Sequence, residues 1–119
     1  MARAAANAAL NGLVNAQFHK ADLFAVPAPG VPWLAGGHTH VLLDPPRAGA
    51  REILATVAAL APQRVAYVSC HTGSLARDLG ILVHELGFEL VAAGVADMFP
   101  HTAHVESLAI LQPKSRSKR

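Results

Sequence analysis

The chain has 119 residues, 52% hydrophobic and only 15% charged, a balance that fits one globular domain and excludes a chain disordered throughout. Its net charge of +2 belongs to the terminus: Lys114, Arg116, Lys118 and Arg119 are four of the ten basic residues, and the remaining six face eight acidic ones. One cysteine excludes an internal disulfide and a multi-cysteine metal site; with no membrane-length apolar run and no secretory leader in Met1–Asn7, a cytoplasmic setting is expected.

In chain order, Ala4 to Leu13 is rich in helix formers, with Gly12 as a stop signal. Gln17–Lys20 is a short strand candidate. Val26 to Gly37 holds three prolines and three glycines and reads as a loop. His40–Leu43 is a short apolar strand. Arg51–Leu60 is a helix ended by Pro62, and Arg64–Ser69 is a strand rich in β-formers. Ser74 is placed to cap a helix from Leu75 to Leu86, with Asp78 in its first turn and Gly87 at its stop. Leu75, Leu79, Leu82, Val83 and Leu86 share one face of that helix and predict its buried stripe. Phe88–Val95 and Val105–Leu111 are two further strands, with no helix between them. The fold class is α/β: a mostly parallel sheet covered on both faces, with the last two strands an antiparallel pair at one edge. Residues 1–112 form the domain. The basic residues 113–119 form a disordered tail, either simply solvated or touching a phosphate backbone.

Chemistry-bearing residues gather at strand ends, where open α/β sheets bind their ligands. Cys70 ends the run Val65–Ser69, just before a helix whose N-terminus could activate a thiol; a lone buried, inert cysteine is the competing reading. Asp44 heads the rigid turn Asp44-Pro45-Pro46-Arg47, where its carboxylate either meets a ligand or simply caps the turn. Glu106 opens the final strand, either as a solvated carboxylate or as a general base. His101 and His104 have a ligand-like gap, but no third ligand stands at a diagnostic spacing, so no metal site is expected. A Cys70–His71 hydrolytic pair is weak, because adjacent residues at a strand end point apart.

Three ordered segments, Leu42–Gly49, Tyr67–Cys70 with Leu75-Ala76-Arg77-Asp78, and Asp97–Ser107, together resemble the S-adenosylmethionine-dependent RNA uridine-5-methyltransferases, most closely their 23S ribosomal RNA branch. The resemblance covers nearly the whole chain outside the basic tail. It implies that Cys70 attacks carbon 6 of a uracil, that Glu106 removes the carbon 5 proton, and that Asp44 contacts the cofactor and helps hold the base. It also implies that Asp22 sits near the adenine of S-adenosylmethionine. The sequence departs from the pattern after Ser69-Cys70, where the family usually continues Asn-Pro and this chain has His71-Thr72.

The implied fold is a Rossmann-like class I methyltransferase sheet of strand order 3-2-1-4-5-7-6. Its first strands, glycine-rich cofactor loop, RNA-binding domain and, in some members, iron–sulfur cluster all lie upstream of the segment seen here. The strand at His40–Leu43 would then be an exposed edge, covered by the Gln17–Lys20 strand or by another chain, with self-association as one outcome. RNA is the expected partner, and no membrane is. The competing reading is a non-catalytic remnant that keeps an RNA-contacting or scaffolding surface; a thiol hydrolase is a distant third.

Overall fold

The computed structural model describes residues 2–27, 30–35, 37–96 and 106–115. Helix α1 spans Ala2–Leu10, strand β1 His40–Leu43, helix α2 Leu54–Ala59 and strand β2 Arg64–Ser69; helix α3 spans Thr72–His84, strand β3 Phe88–Ala96 and strand β4 Glu106–Pro113. The four strands form one sheet in the order β1-β2-β4-β3. Read in the numbering of the implied methyltransferase sheet, that order is 4-5-7-6.

Strand β2 alternates buried Val65, Tyr67 and Ser69 with half-exposed Ala66 and Val68, the period-two pattern of a strand buried on one face. Val65, Tyr67, Ala109 and Leu111 meet Leu54 and Val57 of α2 and Leu75 and Leu82 of α3 in a single core. The stripe expected on α3 is there: Leu75 and Leu82 are buried, and Leu79, Val83 and Leu86 pack against the core. Both helices thus cover the same face. On the other face Leu42 is 68% exposed and Leu108 43%, so among the described residues the sheet is not covered on both sides as expected.

Nor is it mostly parallel. Only β1 and β2 pair in parallel; β2 with β4 and β3 with β4 are antiparallel. The expected edge pair is therefore present, with β3 outermost and its register skipping a residue between Leu90 and Ala92. Strand β4 runs through Pro113, and the Lys114 amide bonds the Gly87 carbonyl at 2.9 Å. Order thus continues past residue 112; residues 116–119 lie outside the described residues.

Three other expectations shift. Gln17–Lys20 is not a strand: every one of its residues is exposed, and it belongs to no sheet among the described residues. It therefore does not cover β1, which stands at the edge of the sheet. The stretch from Arg51 opens as a 3₁₀ turn, Arg51–Ile53, before becoming α-helical. Helix α1 ends at Leu10, with Gly12 in the left-handed region at φ +72°, and buries only Ala8 among its residues with described side chains.

Candidate functional site

The topology brings three strand ends to one side of the sheet. Parallel pairing points the carboxyl ends of β1 and β2 the same way; Leu43 pairs with Tyr67, so one further step sets Asp44 level with Val68, on the strand that runs on to Cys70. Antiparallel pairing brings the start of β4 to the same edge. Ser69 pairs with Ser107, and one further step of that register sets Cys70 opposite Glu106. Cys70 is exposed, Glu106 half-buried and Asp44 exposed. Cys70 is therefore not buried, as the competing reading had it.

Asp44 borders an apolar cleft of about 180 Å³, walled by Leu23 and Phe24 on one side and by Leu43, Pro45 and Pro46 on the other. Asp22 is not part of its lining. That carboxylate turns back on its own backbone and accepts the Phe24 amide at 3.0 Å, forming an Asx turn that presents Leu23 and Phe24 to the cleft. The residues beside Asp22, and not Asp22 itself, meet Asp44 across the cleft. His101 and His104 lie outside the described residues. Among the described residues no three His, Cys, Asp or Glu side chains converge as metal ligands, and no helix is long and apolar enough to cross a membrane.

A buried polar clamp holds the turn that carries Asp44. Asp78, fully buried on α3, accepts hydrogen bonds from the Tyr67 hydroxyl, the Ala50 amide at 2.8 Å and Arg77 Nε at 3.0 Å. Arg77 also donates to the Ala48 carbonyl at 2.8 Å, and the Ser74 hydroxyl donates to the Arg47 carbonyl. Residues 47–50 are thus fastened to α3 and β2. Gly49 makes the approach feasible. At φ +87° it occupies the left-handed region, and a Cβ there would lie 2.6 Å from Arg77 Nη2 and 2.7 Å from Asp78 Oδ2. Burial first, then the bond to Asp78 and its charge, hold the Tyr67 phenol well above its ordinary value of 10.0.

The loop after Cys70 is fixed from two sides. The Ser69 hydroxyl donates to the His71 carbonyl at 2.8 Å and accepts the His71 amide at 3.0 Å. His71, and not Ser74, caps α3: its Nδ1 accepts the Ser74 amide at 3.1 Å, so the helix begins at Thr72. The sequence reading missed this because imidazole is not among the usual cap residues. It missed Asp78 because a first-turn carboxylate reads as solvated. The available signal was Tyr67, whose place in the inward alternation of β2 requires a buried partner for its hydroxyl.

Residues 36–114 match the family described as tRNA (Uracil-5-)-methyltransferase. The chain is 57% identical over 110 residues to the 23S rRNA (uracil(1939)-C(5))-methyltransferase RlmD of Alkalilimnicola ehrlichii, covering 92% of this chain and 24% of that protein. It is 56% identical over 112 residues to the protein of the same description from Xanthomonas axonopodis pv. citri, covering 94% and 25%. Among solved structures it is similar to the Pyrococcus abyssi tRNA (uracil-54, C5)-methyltransferase in complex with S-adenosyl-L-homocysteine. There the TM-score is 0.68, the identity 34%, and the coverage 91% of this chain and 24% of that one. The chain spans about a quarter of the length of these relatives.

Proposed function

Because the chain belongs to the tRNA (uracil-5-)-methyltransferase family, we propose that it supplies the nucleophile, the base and one wall of the cofactor site for methylating carbon 5 of a uridine in RNA. The relatives from Alkalilimnicola and Xanthomonas, both described as 23S rRNA methyltransferases, support ribosomal RNA as the substrate. The observation that carries the reading is that Cys70, Glu106 and Asp44 all stand around the carboxyl end of β2, Glu106 opposite Cys70 on one neighbouring strand and Asp44 at the end of the other.

The chemistry needs these residue types in this arrangement. Carbon 5 of uracil is a poor nucleophile until a thiolate adds at carbon 6. Attack by Cys70 forms the S–C6 bond and moves an electron pair through C5 and C4 onto O4. When bound, S-adenosylmethionine supplies the electrophilic methyl group that carbon 5 then takes up. Glu106 accepts the carbon 5 proton, the C5–C6 double bond re-forms, and the Cys70 thiolate leaves. The exposure of Cys70 suits attack on a base turned out of its stack. The cleft beside Asp44 has the chemistry for part of the cofactor: apolar walls with one aromatic ring suit a purine, and the carboxylate in its lining suits an amine or the base. Leu23, Phe24 and Asp44 would hold it there.

The test is a chimera in which this chain replaces the matching 110 residues of the Alkalilimnicola relative, assayed with S-adenosylmethionine and uridine RNA. We expect methyl transfer from the unaltered chimera and none from Cys70→Ala. Glu106→Gln should accumulate a denaturation-stable protein–RNA adduct, because elimination needs the proton removed. A folded chimera that transfers no methyl group would remove the enzymatic reading and favour a remnant that only contacts RNA.

A further inference from the structure

We infer that His71 is a substrate-contacting hydrogen-bond donor, its Nε2–H meeting the uracil O4 as the Cys70 adduct forms; this rests on the uridine methyltransferase reading. The argument starts from proton counting around Ser74. Ser74 is the third residue of α3, buried, and its backbone N–H has no carbonyl four residues back within the helix. That N–H reaches His71 Nδ1 at 3.1 Å. The Ser74 hydroxyl also lies 3.0 Å from Nδ1, but its one proton goes to the Arg47 carbonyl. The arrangement that leaves no buried donor unpaired has Nδ1 as the acceptor, bare of hydrogen. The neutral ring then carries its proton on Nε2.

That proton has no partner among the described residues, and the ring around it is held still. Its backbone is tied at both N–H and C=O to the Ser69 hydroxyl, and its Nδ1 is tied to α3. The ring packs over Gly73, where an added Cβ would lie 2.9 Å from Cε1. Thus a fixed, neutral N–H donor stands one residue from the proposed nucleophile. Addition at carbon 6 places negative charge on O4, and a pre-oriented donor acts where charge develops, since no reorganisation is needed at that moment. A neutral imidazole can do this work.

Two measurements test it. On the 119-residue chain, long-range ¹⁵N–¹H correlation spectra should assign His71 to the Nε2–H tautomer; the Nδ1–H tautomer would overturn the inference. In the chimera, adduct formation is followed on 5-fluorouridine RNA. His71→Ser keeps a neutral cap acceptor but is too short to reach the base. It should slow the adduct roughly 10- to 100-fold at an unchanged melting temperature. His71→Asn, which can cap with its carbonyl and donate with its amide, should recover most of the rate. A role confined to capping predicts wild-type rates for both variants, and that result overturns the inference alone. An unaltered chimera that forms no adduct removes the parent reading and the inference together.

Discussion

At the residue scale, the site divides into groups the sequence exposes and groups it hides. The placement of Cys70, Asp44 and Glu106 at strand ends was legible, because each stands where an apolar run meets a polar or proline-bearing turn. Asp78 was not, because its partners come from Tyr67, eleven positions back, and Ala50, twenty-eight back. Its burial therefore depends on packing that no local pattern carries. The clamp has a signature in pH. The folded state holds the Tyr67 phenol above 10.0, so the folded and unfolded chains bind the same protons below that value. Above it the unfolded phenol ionises first, the unfolded state binds fewer protons, and stability falls as pH rises. In urea melts between pH 8 and roughly 11, starting below the ordinary phenol pKa of about 10, Tyr67→Phe should lose about 1 kcal/mol at the neutral end. It should then decline less steeply than the wild type. Parallel curves would show that Tyr67 does not ionise differently in the two states.

At the element scale, β1 and β2 run over the residues that the sequence reading assigned, because short apolar runs between turn signals admit one interpretation. Gln17–Lys20 shows the limit of that logic: a strand needs a partner for its backbone groups, and no strand among the described residues pairs with this one. The start of α3 moved because a side chain outside the usual cap set reached the Ser74 amide. The turn from Asp44 to Ala50 is the element on which the site depends most. Gly49→Ala would force a side chain into the left-handed region and against Arg77 and Asp78. It should cost on the order of 2–4 kcal/mol, read as a lowered urea midpoint. In the chimera it should also raise the KM for S-adenosylmethionine. Wild-type stability would mean that the turn is not clamped.

At the scale of the whole molecule, one face of the sheet lacks cover among the described residues, and β1 and β3 are its two edge strands. Leu42 on the edge strand β1 is 68% exposed, and the open backbone beside it is a template for pairing. Sedimentation velocity on the 119-residue chain should show concentration-dependent association that Leu42→Lys reduces; a monomer at every concentration would mean the edge is not sticky. The central claim is that Cys70 is the nucleophile of a uridine-5-methyltransferase site. Its most direct test is to incubate the chimera with S-adenosylmethionine and 5-fluorouridine RNA, whose C5–F bond blocks the final elimination, and to map the trapped nucleotide by mass spectrometry. The prediction is a methylated fluorouridine on the peptide bearing Cys70, absent from Cys70→Ala; a trapped nucleotide on any other residue, or one that survives in Cys70→Ala, would contradict it.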